Sequence, residues 1–135
     1  MATTDSIHIR IACDGDVVTA RQMGRGLASE VGFKGSDLTL IATAISEIAR
    51  NIVVYANRGE ITFSLIGSGA RRGILIVAQD AGPGIPDIAE AMRDGFSTGK
   101  SLGLGLPGAK RLMDEFEVAS ETGAGTTVTM RKWLR

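Results

Sequence analysis

The most constraining stretch is residues 36–56, SDLTLIATAISEIARNIVVYA, where Leu38, Ile41, Ile45, Ile48 and Ile52 recur at helical steps of three and four. On a helix these side chains merge into one apolar stripe, and such a stripe has to be buried against another layer. Ser36 is placed to act as the N-cap. The same helix carries a carboxylate and an amide, Glu47 and Asn51, at i and i+4. They lie about 40° apart around the axis and roughly 120° from the centre of the stripe. Leu40, Ala44 and Val54 share their side, so this second face is expected to line a cleft rather than open water.

The layer that receives the stripe is supplied by short alternating segments. SIHIRIAC (residues 6–13) alternates as a half-buried strand does, with His8 on its polar side as an ordinary surface residue. A helix is expected over DVVTARQMGRGLASEVGF, with Val17, Ala20, Leu27 and Val31 inward and Asp16 as its cap, although Gly24 and Gly26 weaken its interior. EITFSLIG and RRGILIVAQD read as a strand pair, and FEVASE and TTVTMRKW as another, each joined by glycine-rich turns. Short helices are expected at DIAEAMRDG and at LPGAKRLMDEF, the latter with Pro107 in its first turn. The fold expected is an α/β two-layer sandwich over residues 1–135 as a single domain. Its sheet is mixed and largely antiparallel, covered on one face by helices.

Composition excludes several classes of function. Fifteen basic and fifteen acidic side chains balance, which removes any general attraction to nucleic acid or a membrane surface. The ending RKWLR is too short to alter that. Aromatic residues are 4% of the chain, too few for a platform that stacks single-stranded bases. Cys13 is the single cysteine, so neither an internal disulfide nor a cysteine-built metal site is available. The apolar runs ILIVA and IVVYA fall short of a membrane span, and the start lacks the apolar core of a signal peptide. A soluble, cytoplasmic protein is expected.

Chemistry enters at three places. Glu47 and Asn51 could hold a hard cation such as Mg²⁺ or orient a hydroxyl for attack on phosphate, and they equally suit a solvated helix face. Asp80 ends the apolar strand ILIVAQ and opens DAGPGIP. Its carboxylate could accept from the amino group of adenine, while Gly82 and Gly84 let the backbone approach a flat ring; a plain turn uses the same residues. The third place is GFSTGKSLGLGLPG, residues 95–108. Its first half imitates a P-loop, but only Phe96, Ser97 and Thr98 separate Gly95 from Gly99 where that motif needs four residues. Its second half spells the dinucleotide pattern, yet no apolar strand leads into it. What remains is either a flexible surface loop or a set of amides at a helix N-terminus suited to a triphosphate. Gly103, Gly105 and Gly108 would form it, with Thr98 and Lys100 on the flap before.

In this order the three motifs resemble the GHKL ATPase superfamily, the Bergerat fold. EIARN is similar to its N box, DAGPG to its first glycine box and GLGLPG to its second, with GFSTGKS as the ATP lid. The resemblance spans nearly the whole chain. It implies ATP and Mg²⁺ as cofactors, Glu47 as catalytic base and Asn51 as Mg²⁺ ligand. It further implies Asp80 on adenine with Gly82 and Gly84 beside the ring, Gly103, Gly105 and Leu106 at the phosphates, and Thr126 near Asp80. Thr98 and Lys100 are added from the lid. A chain of 135 residues leaves no room for the coupling domains of the larger members. The runs AISEIARNI, DGFSTG and GLPGAKRLMDEF resemble the small free-standing serine/threonine kinases of bacterial partner switching. That likeness implies phosphorylation of STAS-domain antagonist and co-antagonist proteins in a stressosome and activation of a PP2C-type phosphatase on release. An anti-sigma factor kinase of the same superfamily, or a nucleotide-gated binding module without turnover, are the alternatives.

Overall fold

The computed structural model describes residues 6–82, 105–121 and 123–135. Five strands form one sheet in the order β1-β2-β3-β5-β4: β1 (Ile7–Ile11), β2 (Gly59–Ser68), β3 (Arg71–Asp80), β4 (Glu115–Glu121) and β5 (Gly125–Trp133). Every ladder among the described residues is antiparallel. Both expected strand pairs are present, and the first turns through Gly69 and Ala70 between paired Ser68 and Arg71. The expected helix at DIAEAMRDG lies outside the described residues.

Helices α1 (Asp14–Val31) and α3 (Gly105–Leu112) each pack on α2 (Ser36–Asn51), and α1 and α2 pack on the sheet. All five stripe residues, four on α2 and Ile52 just past it, are buried, and they join Val17, Ala20, Leu27 and Val31 of α1 in one core with Phe63, Ile74, Ile76 and Met130. Alternation explains the sheet side: Ile61 and Phe63 on β2, and Ile74, Ile76 and Ala78 on β3, point inward at every second position. The segment Ser36–Ala56 is long and apolar enough to cross a membrane, but half of it is buried here and it is the central helix of the core.

Three local expectations are corrected. Ser36 is the first helical residue, not the cap; the chain turns at Gly35 with φ +56°, a conformation open to glycine and costly for serine. Asp16 is also inside its helix, which starts at Asp14. Its Oδ2 accepts the Ala12 N–H at 2.8 Å and the Cys13 N–H at 3.2 Å, the return half of a capping box. The Ala12 amide above all holds the Asp16 carboxyl below its ordinary range. Finally, the helix expected to run unbroken to residue 56 changes winding: Ile52–Ala56 form a π turn, ended by Asn57 at φ +70°. A side chain at Gly24 would strike Ile45 and Phe63, so the glycine lets α1 sit close to the core.

The other end of α1 closes by a Schellman arrangement. Phe33 N–H bonds Ala28 O at 3.1 Å and Gly32 N–H bonds Ser29 O at 3.1 Å, with Phe33 buried against the core. The basic C-terminal residues are used structurally. Lys132 Nζ donates to Leu112 O at 3.0 Å, where a cation suits the C-terminus of α3. Trp133 Nε1 donates to Glu115 Oε2 at 2.7 Å beneath the Arg71 guanidinium, which sits 4.2 Å from the ring centre.

Candidate nucleotide site

One end of the sheet and the π turn after α2 come together beside Asp80. It is the final residue of the central strand β3, paired with Gly59 on one side and Thr126 on the other. Its Oδ1 accepts the Gly82 N–H at 2.9 Å, which folds the chain into a tight turn as it leaves the sheet. A carboxylate offers about four lone-pair directions, so this bond leaves most of its accepting capacity for a ligand. Thr126, expected from the resemblance to lie near Asp80, is placed opposite it by register. Its hydroxyl is 2.9 Å from that of Ser120 on β4, and Ser120 Oγ also donates to Gly125 O at 3.0 Å. Sequence reading missed Ser120, because only strand register reveals that β4 reaches this point.

Two glycines are fixed by close packing around Asp80. Gly125 has φ +96°, and a Cβ on it would lie 2.1 Å from Asp80 O. A Cβ on Gly82 would lie 2.6 Å from Ala56 Cβ, so the residue must be glycine for the turn to rest on the end of the π turn. The π turn thus links α2 directly to the turn after β3, and Asn51 immediately precedes it. Glu47 stands one helical turn further back, about 6 Å along the axis.

Glu47 is 1% exposed, far more covered than a solvated helix face. It lies at a groove of about 360 Å³ between α1 and α2, lined also by Arg21, Arg25, Thr43, Ser46 and Arg50. Arg50 Nη1 is 3.9 Å from Glu47 Oε2. Of the face expected to line a cleft, Glu47 alone borders this groove; Leu40, Ala44, Asn51 and Val54 are not among its lining residues, and those that α2 supplies belong to the side turned toward α1. Leu106 is buried in α3, which packs on α2, and Gly105 opens α3. Gly84, Thr98, Lys100 and Gly103 lie outside the described residues.

The donors fit the groups expected there. No cluster of three acidic, His or Cys side chains that could hold a metal ion occurs among the described residues. Mg²⁺, however, is commonly held by one or two protein oxygens together with substrate phosphates. The Asn51 amide oxygen is a hard donor of that kind. At the sheet end, the Asp80 carboxylate is an acceptor of the kind an adenine amino group requires, held in place by the close packing of Gly82 and Gly125.

Residues 11–132 match the histidine kinase-like ATPase domain family. The chain belongs to that family. It is 51% identical over 131 residues to the serine/threonine-protein kinase RsbT of Bacillus subtilis (strain 168), covering 97% of this chain and 98% of that protein. It is 34% identical over 121 residues to an anti-sigma F factor of Thermoanaerobacter sp. (strain X514), covering 85% and 83% of the two chains. Among solved structures it is similar to the mycobacterial sensor histidine kinase MprB, with a TM-score of 0.56 and 18% identity over 96% of this chain and 97% of that one. This last likeness concerns the fold, and it agrees with the α/β sandwich expected from the sequence.

Proposed function

We propose that this chain is an ATP-dependent serine/threonine protein kinase of a bacterial partner-switching pathway, acting in the cytoplasm as a single domain. The observation that carries the reading is Glu47: a carboxylate buried on the core helix, one turn from Asn51, at the floor of an open groove. A structural role on a surface helix would leave it in water. The 51% identity to a protein named serine/threonine-protein kinase supports the same reading.

In this proposal Asp80 accepts from the adenine amino group, and the Gly82 turn and Thr126 frame the ring. Gly84, Gly103, Gly105 and Leu106 meet the nucleotide, with Thr98 and Lys100 contributed by the lid. Asn51 holds Mg²⁺, which when bound neutralises phosphate charge. Glu47 orients the hydroxyl of a Ser or Thr and takes its proton, while that oxygen accepts the γ-phosphoryl and ADP leaves. The protein's contribution is placement in a covered site, since little covalent chemistry is asked of it. The acceptors proposed are STAS-domain antagonist and co-antagonist proteins, and the partner after release is a PP2C-type phosphatase. The likeness to anti-sigma F factors favours a second reading, in which the chain also binds a sigma factor.

The test is transfer of label from γ-labelled ATP, with Mg²⁺, to a purified STAS-domain protein. Transfer should fall about 10²–10⁴-fold in Glu47→Gln, with ATP binding retained. Normal transfer by that variant would remove Glu47 from the mechanism. ATP binding with no transfer by the wild type would favour a nucleotide-gated binding module.

A further inference from the structure

Arg50 has no role in the scheme above, yet its guanidinium stands 3.9 Å from the carboxylate of the proposed base. It follows Glu47 by three residues on α2, so both project over the same face. The Glu47 side chain is 2% exposed and that of Arg50 is 29% exposed, so one partner is enclosed and the other reaches the mouth of the groove. At 3.9 Å the contact is electrostatic steering, looser than a hydrogen bond. Arg21 and Arg25 face the same groove from α1. The three guanidinium groups repel one another, and the carboxylate of Glu47 is the acid that lines the groove with them. An acceptor hydroxyl has to come within about 2.6–3.2 Å of that carboxylate to give up its proton. An enclosed carboxylate can serve only if it points to the side from which the hydroxyl arrives.

We propose that Arg50 is a positioning residue for phosphotransfer, turning the Glu47 carboxylate toward the groove between α1 and α2, and that the acceptor hydroxyl enters by this groove. The inference rests on the kinase reading of Glu47. Arg50 acts through Glu47 and takes no proton itself. Its removal therefore slows the chemical step while leaving the nucleotide cradle around Asp80 and the acceptor's own docking in place.

The experiment compares wild type, Arg50→Met, Arg50→Lys, Glu47→Asp and the Glu47→Asp/Arg50→Met double variant, using ATP, Mg²⁺ and a purified STAS-domain acceptor. Arg50→Met is expected to lower kcat about 10-fold or more, within the range for a displaced general base, with acceptor KM and ATP affinity within about twofold of wild type. Arg50→Lys restores part of kcat, because a cation on a flexible stem supplies steering without the planar fork. In the Glu47→Asp background the Arg50→Met change costs less than about twofold, since residues that act as a unit are not additive. A raised acceptor KM with unchanged kcat would make Arg50 a docking residue and overturn the inference. Losses that multiply in the double variant would overturn it too. An inactive wild type would instead sink the kinase reading, and this inference with it.

Discussion

Thr126 stands directly opposite Asp80 across the β3–β5 ladder, and its hydroxyl is 2.9 Å from that of Ser120 on the neighbouring strand β4. Three strands therefore contribute polar atoms to one end of the sheet. Ser120 and Thr126 meet through their hydroxyls, and the Asp80 carboxylate on the facing strand holds the turn at Gly82.

Asp80→Asn should keep this turn, since an amide oxygen can still accept the Gly82 N–H. It removes the charge, and hydrogen bonds to charged groups contribute about 1.5–3 kcal/mol. ATP affinity should fall about 10- to 100-fold, and the preference for ATP over GTP should narrow. Calorimetric titration with both nucleotides checks this.

Asn51→Ala tests the proposed metal ligand. Without its amide oxygen the wild-type dependence on Mg²⁺ should shift to a higher concentration, by about 10-fold or more for loss of a direct ligand. Chelation of Mg²⁺ should abolish transfer in wild type and variant alike. The Mg²⁺ dependence of label transfer is the measurement, and an unchanged midpoint would remove Asn51 from the metal site.

Gly125→Ala places a Cβ 2.1 Å from Asp80 O at φ +96°. Strain of that kind costs about 1–3 kcal/mol, before the clash is counted. A fall in Tm of about 4 °C or more is expected, together with weaker ATP binding because Asp80 is displaced. Thermal unfolding with and without ATP separates the two effects.

Asp114 links α3 to the C-terminal strand. Burial pushes its carboxyl up, but the Trp133 N–H, Lys132 and Arg135 outweigh that and hold it below its ordinary value of 3.8. Its folded pKa is depressed, so its stabilisation is present above that ordinary value and is lost as pH falls through the folded pKa. Asp114→Asn should lower stability at neutral pH and flatten the acid limb below about pH 4. Chemical denaturation at a series of pH values tests it.

Some of this was legible along the chain. The Ile stripe of α2 and the alternation of β2 and β3 depend on local periodicity, and burial follows that period whatever the neighbours are. The motif order around Glu47, Asn51, Asp80 and Gly105 was legible as a resemblance, and the family match over residues 11–132 agrees with it. Local readings failed where backbone geometry outranked residue preference. Gly35 displaced Ser36 as cap because the turn there needs a positive φ, and Asp16 capped from within the helix.

The sequence by itself determined the two layers, the strand pairs and the family, because these rest on periodicity and motif order within short stretches. Tertiary structure alone decided that Ser120 reaches Thr126 and that the π turn rests Ala56 on Gly82. It also decided that Glu47 is enclosed beside Arg50 at a groove shared with α1. Ala56 and Gly82, and Glu47 and the α1 arginines, are distant in the chain, while Ser120 meets Thr126 only in one hairpin register; each relationship exists only once strand register and helix packing have fixed the distances.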